Sequence, residues 1–240
     1  MGPDAYIDAL ERCGEELAEA AEGGLDAPVP SCPGWDVAEL VWHTGDVHRF
    51  WERIVSLRAR DRGGIPEAER PDPLELLPWY RDGLERLVRT LRAADPAAEV
   101  WTWAPPHNAG FVQRRMAQET AVHAWDAQAA AGSPHPIETA LASDGVDEFL
   151  DVFLPSDPER LSIGAERVHL HATDGGGEWT VTVREGSLDV DRSHGKGDAA
   201  VRASSSDLLL LLWRRRGPEG LEVFGDRAVL ERFLARADLD

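Results

Sequence analysis

The sequence lacks features that would place the protein in several common classes. It contains only two cysteines, Cys13 and Cys32, in 240 residues. Their spacing matches no paired-thiol metal motif, so we expect a reduced, cytoplasmic protein without disulfides. No apolar run reaches the length of a membrane span, and residues 1–24 are amphipathic and rich in acidic side chains. We therefore expect neither a transmembrane helix nor a signal peptide.

Basic residues are outnumbered by acidic ones. The chain has 25 Lys and Arg against 44 Asp and Glu, a formal net charge of -19 at pH 7. Such a surface repels both phosphate backbones and anionic lipid headgroups. The composition argues against a nucleic-acid or membrane partner. We expect a small-molecule substrate and a monomer or small homo-oligomer.

The hydrophobic pattern changes once along the chain. Apolar residues recur at steps of three and four before residue 154, which is typical of packed helices. Alternating, strand-like patterns follow the Pro- and Asp-containing segment 155–158. The sequence predicts an α+β protein, with a helical bundle at residues 1–154 and a small α+β domain at residues 160–240.

One predicted helix, at residues 112–131, places titratable side chains where a bundle helix normally places aliphatic ones. Its inward face carries Glu119, His123 and Asp126 at steps of four and three. Buried carboxylates and imidazoles are unfavourable unless they are paired or bind a metal. The spacing of Glu119 and His123 suits two ligands of one ion.

A third ligand is predicted on another helix, which begins near Asp36. His43 lies there in an otherwise apolar stripe, whereas His48 points about 140° away from it. Two imidazoles and one carboxylate suit Zn²⁺ best, with Fe²⁺, Ni²⁺ and Co²⁺ also suited, and three ligands leave a position open for catalysis. The expected role of Asp126 is to hold the free ring N–H of His123. The alternative is a metal-free polar network of Glu119, His123 and Asp126, completed by Arg114 or Arg115.

Further polar residues have weaker patterns. Arg216, in a run of three arginines, is a candidate catalytic anion clamp, although a charge cluster at a helix C-terminus explains it as well. His169 and His171 share one face of a predicted strand and are able to bind a metal, but an exposed strand face is the favoured interpretation. Cys32 has no identifiable neighbouring base and is interpreted as a packed small hydrophobe.

Two motifs resemble those of the mycothiol-dependent maleylpyruvate isomerase family. They are residues 29–36 (Val-Pro-Ser-Cys-Pro-Gly-Trp-Asp) leading into Leu-Val-Trp-His at 40–43, and Arg-Arg-Met-Ala-Gln-Glu-Thr-Ala-Val-His-Ala-Trp-Asp at 114–126. The family belongs to the DinB-like metal-binding four-helix bundles and carries a sterol-carrier-like C-terminal domain, which residues 199–233 resemble.

The resemblance implies a metal triad of His43, Glu119 and His123, and mycothiol, a low-molecular-weight thiol of actinobacteria, as cosubstrate. It also implies cis–trans isomerisation of maleylpyruvate, or thiol transfer to an electrophile by the same site. Two other functions stay open: a non-catalytic metal- or ligand-binding regulatory protein of this fold, and a metal-dependent hydrolase.

Overall fold

The structure is a computed structural model that describes residues 1–156, 166–184 and 187–236. Asp157 and Pro158, in the predicted linker, lie outside these residues. The chain divides into two compact units, Met1–His135 and Pro136–Asp240. No helix in the described ranges is both long enough and apolar enough to cross a membrane.

The first unit is the predicted four-helix bundle. Helix α1 packs against α3 and α4, and α2 packs against the same two helices. Leucines and isoleucines from the predicted apolar stripes, such as Leu10, Leu40, Ile54 and Leu87, are fully buried between them. The helices are α1 (Pro3–Ala21), α2 (Val37–Ser56), α3 (Leu76–Ala93) and α4 (Ala109–Ala130).

Side-chain caps fix where the two helices with the predicted ligands begin. The Asp36 carboxylate accepts a hydrogen bond from the Glu39 amide at 2.8 Å and starts α2. Asn108 does the same for α4 through the Phe111 amide at 3.0 Å. Helix α2 ends at Ser56, and Arg58 just beyond it adopts a left-handed φ of 48°, which a helix cannot continue through.

The second unit contains a mixed sheet of five strands within its described part. The strand order is β3-β2-β1-β4-β5; β1 and β4 run parallel, and the other neighbours are antiparallel. The strands are β1 (Glu166–Ala172), β2 (Glu178–Arg184), β3 (Ser187–Asp191), β4 (Ala199–Ala203) and β5 (Glu222–Gly225). The accompanying helices are α5 (Thr139–Glu148), α6 (Ser205–Leu212) and α7 (Arg227–Leu234).

Alternation along the strands gives the sheet two different faces. Val168, Leu170 and Val181 are fully buried on one face, and α6 and α7 pack against β1 and β4. His169, His171 and Glu178 occupy the other face.

Helix α5 belongs to the second unit, whereas the sequence pattern placed it before a boundary at residue 154. The structural reason is that α5 packs against α6. Asp174 reinforces this arrangement, since its carboxylate accepts hydrogen bonds from the Ser205 hydroxyl at 2.9 Å and from the Thr139 hydroxyl at 3.2 Å.

Candidate metal centre

The three predicted ligands meet inside the first unit, and we call them the bundle centre: His43, Glu119 and His123. The Nε2 atom of His43 lies 3.6 Å from Glu119 Oε1, and the Nε2 atom of His123 lies 3.2 Å from the same oxygen. All three donor atoms fall within 4.8 Å of one another. Ligand atoms around a tetrahedral zinc ion, with bonds of about 2.0–2.2 Å, lie about 3.3 Å apart. The donor set therefore fits a divalent cation.

Local structure explains this convergence. Glu119 and His123 are separated by one turn of α4, so their side chains project in the same direction. His43 approaches from α2, which packs directly against α4. The rings of His43 and His123 meet edge to face, with centroids 5.3 Å apart.

Asp126 fixes the orientation of the His123 ring. Its Oδ2 atom lies 2.9 Å from His123 Nδ1, so Nε2 is directed towards Glu119. Asp126 is itself fully buried, and its Oδ1 atom accepts a hydrogen bond of 2.5 Å from the Ser31 hydroxyl. A buried carboxylate behind an imidazole is the usual support of a metal-binding histidine.

Sequence reasoning missed the contribution of the Pro-rich loop before α2. Ser31 holds Asp126 from this loop, and the Cys32 thiol lies 3.8 Å from Asp126 Oδ2. Cys32 therefore has an acidic neighbour, which the sequence did not reveal because the two residues are 94 positions apart.

The charges of the bundle centre are strongly coupled. Burial alone would raise the pKa of the Glu119 carboxyl, but its interactions with the His123 and His43 rings lower that pKa well below the ordinary value. Arg115 adds a further positive charge, with its guanidinium 3.0 Å from Glu119 Oε2. Burial also disfavours protonation of His123, yet hydrogen bonds to Asp126 and Glu119 outweigh it and raise the pKa of His123 to about 9.

The sequence left open a metal-free polar network as the alternative to a metal site. The contacts among Glu119, His123, Asp126 and Arg115 are also those expected of that network. His43 extends this set of contacts from α2. Its Nε2 atom lies 3.6 Å from Glu119 Oε1, a distance that suits an ion pair as well as two ligands of one ion.

The bundle centre is more exposed at His43 than at His123. The His43 side chain is 38% exposed, whereas that of His123 is 8% exposed. The Trp35 ring lies against His43, with centroids 4.9 Å apart. Three protein donors leave the fourth position of a tetrahedral ion open, which is the pattern of catalytic rather than structural zinc sites.

His48 is separate from the bundle centre, as its angular position on α2 predicted. It is fully buried, and its Nε2 atom lies 2.8 Å from the Thr120 hydroxyl. Burial lowers the pKa of His48 to about 3, so this imidazole is neutral at pH 7.

Arg216 has partners within its own unit. Its guanidinium contacts the Asp207 carboxylate and donates to the Glu219 carbonyl at 3.1 Å. Its suggested role as a catalytic anion clamp stays a prediction.

Comparison with known proteins agrees with this architecture. Residues 4–128 match the family described as mycothiol maleylpyruvate isomerase N-terminal domain, and residues 140–232 match the MDMPI C-terminal domain. No curated protein matches the chain in sequence.

Two solved structures share the fold over nearly the whole chain. The crystal structure of the mycothiol-dependent maleylpyruvate isomerase has a TM-score of 0.65 at 13% identity, covering 93% of both chains. A histidine-to-alanine mutant of the mycothiol-dependent maleylpyruvate isomerase has a TM-score of 0.66 at 12% identity, with the same coverage. At these identities the likeness concerns the fold alone. The family match spans more than half of the residues of this chain. The chain therefore belongs to the mycothiol maleylpyruvate isomerase family.

Proposed function

We propose that this protein is a metal-dependent enzyme that uses a small thiol of the mycothiol type to attack an electrophilic substrate. The observation that carries the proposal is the convergence of His43, Glu119 and His123, whose donor atoms lie within 4.8 Å of one another while the His43 side chain is 38% exposed. Zinc is the cation that this donor set suits best. When bound, a divalent cation lowers the pKa of a neighbouring thiol and makes the thiolate available at neutral pH.

The residues of the chain have distinct tasks in this mechanism. Asp126 contacts His123 Nδ1 and would thereby hold the tautomer whose Nε2 is available to a cation. Arg115 binds Glu119 Oε2, which leaves Oε1 directed towards both imidazoles. Trp35 packs against the His43 ring, with centroids 4.9 Å apart, and restricts the orientation of that ring. Each of these contacts restricts the centre to one geometry before substrate arrives.

The proposed reaction is cis–trans isomerisation of a maleylpyruvate-like substrate. The thiolate adds to the conjugated cis double bond, the resulting single bond rotates, and expulsion of the thiol leaves the trans product. The thiol is regenerated, so the reaction needs no oxidant or reductant. If the thioether is released instead, the same first step gives a thiol S-transferase.

The test is turnover with and without the thiol. The zinc-loaded protein is assayed with maleylpyruvate and with a panel of haloaryl and maleyl electrophiles, each in the presence and absence of mycothiol. We expect turnover only when the thiol is present, and the product identifies isomerisation or transfer.

Two results would contradict the proposal. Equal turnover without the thiol would indicate a metal-dependent hydrolase, in which metal-activated water is the nucleophile. No turnover across the panel, despite a loaded centre, would indicate a binding or regulatory protein.

A further inference from the structure

A second group of histidines lies on the sheet of the second unit, on the face opposite α6 and α7. We call it the sheet cluster: His169, His171, Glu178 and His194. Its four donor atoms all lie within 4.8 Å of one another. None of these residues takes part in the mechanism proposed above.

Strand pairing brings three members of the sheet cluster together. His171 on β1 lies directly opposite Glu178 on β2, and its Nδ1 atom is 2.6 Å from Glu178 Oε1. His169, two residues earlier on β1, points to the same face and contacts Glu178 Oε2. The carboxylate thus lies between two imidazoles whose positions are set by the register of the sheet.

The fourth member comes from the loop between β3 and β4. His194 Nδ1 lies 3.4 Å from Glu178 Oε1, and its ring centroid is 4.9 Å from that of His169. The loop is held close to the sheet, because the Thr180 hydroxyl donates to the Ser193 carbonyl at 3.0 Å.

A glycine in the same loop makes this close approach possible. A Cβ atom on Gly197 would lie 2.8 Å from the Arg167 carbonyl and 2.9 Å from the His169 amide nitrogen. Only a residue without a side chain fits there. The position of His194 therefore follows from the path of the loop over β1.

The residue types of the sheet cluster match those of a closed metal site. The distance of 2.6 Å between His171 Nδ1 and Glu178 Oε1 is that of a hydrogen bond, and a bound ion would widen it to about 3.3 Å. Burial alone would raise the pKa of the Glu178 carboxyl, but hydrogen bonds with His169 and His171 lower it, so Glu178 is ionised at neutral pH. Three imidazoles around one carboxylate form a nitrogen-rich set that suits Zn²⁺, Co²⁺ or Ni²⁺. Four protein ligands are typical of structural zinc sites.

We propose that the sheet cluster is a second divalent-metal site, of the zinc class, that fastens the loop carrying His194 to strands β1 and β2. The site is structural, because all four positions of a tetrahedral ion are taken by protein. It is independent of the thiol chemistry proposed for the bundle centre.

The test uses the full chain without an affinity tag, so that the protein supplies every histidine. The replacements His43→Ala and His123→Ala first disable the bundle centre. Zinc content is then measured after equilibrium dialysis, and Co²⁺ is titrated while the visible absorption of a tetrahedral ion is recorded. We expect one ion per chain in this background, and a higher melting temperature with zinc than without it.

Two further replacements are added to that background. Glu178→Gln should abolish Co²⁺ and zinc binding and the thermal shift. His194→Gln should weaken binding tenfold or more, and we expect it to leave the metal-free fold intact because the His194 side chain is 78% exposed. His135→Gln, at an exposed position of the first unit, is the matched control and should bind like the background.

The results decide the proposal in either direction. It is overturned if the background binds no zinc, or if His194→Gln and Glu178→Gln bind as tightly as His135→Gln. If Glu178→Gln fails to fold, as judged by near-ultraviolet circular dichroism, the result for His194→Gln decides alone.

Discussion

The bundle centre and the sheet cluster both contain a single carboxylate surrounded by imidazoles. They differ in the other groups that contact this carboxylate. Glu119 meets two imidazoles at Oε1 and an arginine at Oε2. Glu178 meets three imidazoles, shared between its two oxygens. The bundle centre offers three protein donors, and the sheet cluster offers four.

The difference suits the two proposed roles, which are catalysis at the bundle centre and stabilisation of the fold at the sheet cluster. In the bundle centre, Asp126 is fully buried behind His123, and His43 is accessible to solvent. One imidazole is therefore held by a buried carboxylate, while the other is exposed to solvent. In the sheet cluster, the cross-strand pair of His171 and Glu178 joins two strands, and His194 adds a loop. An ion there would link chain segments rather than bind a substrate.

The largest expected effect is a loss of activity when the bundle centre is disabled while the sheet cluster is intact. We expect His123→Ala to reduce thiol-dependent turnover about 1000-fold, since charge stabilisation by a metal supplies several kcal/mol. The variant should still retain one zinc ion per chain, held by the sheet cluster. Steady-state kinetics and metal analysis measure both quantities. His135→Ala is the control, and a loss below tenfold in His123→Ala would remove the bundle centre from the mechanism.

A smaller effect is expected when the orientation of His123 is disturbed but the ligands stay. Asp126→Asn should weaken zinc binding at the bundle centre by about 10- to 100-fold, because the imidazole loses its charged partner. Competition with a chelator of known affinity measures this change. Ser31→Ala removes only one hydrogen bond to Asp126 and should produce a weaker effect in the same direction. Unchanged affinity in Asp126→Asn would show that Asp126 does not position His123 for a metal.

The protonation of His123 makes zinc binding at the bundle centre dependent on pH. Because the folded-state pKa of His123 is raised to about 9 from 6.5, its proton stabilises the metal-free fold fully below pH 6.5. That stabilisation is lost as the pH rises through 9. Zinc competes with the proton, so its affinity should rise about tenfold per pH unit between pH 7 and 9.

Chelator competition across that range tests the dependence. The measurement is made with Glu178→Gln present, so that the sheet cluster does not contribute. Asp126→Asn should flatten the slope, since it removes an interaction that raises the pKa of His123. An affinity that does not vary between pH 7 and 9 would contradict the proton competition.

The sequence predicted the bundle centre because its signal is local. Glu119 and His123 are one turn apart on a helix without Gly or Pro in its interior after Gly110, and His43 interrupts an apolar stripe. Helical periodicity therefore places Glu119 and His123 on one face of α4, but it did not predict that His48 is fully buried while the His43 side chain is 38% exposed. The same reasoning separated His48 from His43, and the structure places His48 against Thr120.

Hydrophobic periodicity does not predict the sheet cluster or the contacts of Asp126, because both depend on residues that are distant in the sequence or lie in loops. His169 and His171 were identified as neighbours on one strand face, but Glu178 joins them only through the strand register. His194 depends on the path of a loop, and Ser31 reaches Asp126 across 95 positions. Helical periodicity in α5 likewise does not reveal that this helix packs against α6 in the second unit.

The smallest effect at neutral pH is expected for replacement of His48. Its pKa is lowered by the fold, whereas the pKa of His123 in the same unit is raised. Burial lowers the folded-state pKa of His48 from 6.5 to about 3, so below pH 6.5 the unfolded chain binds a proton that the fold excludes. The free energy of unfolding should therefore fall as the pH decreases from 6.5 towards 3, by up to about 1.4 kcal/mol per pH unit from this group. Urea unfolding at pH 7.5, 5.5 and 4.5 measures the slope. His48→Gln keeps a polar partner for Thr120 and should reduce the slope by that amount, whatever its stability at pH 7.5. An unchanged slope in His48→Gln would show that another buried group governs the loss of stability in acid.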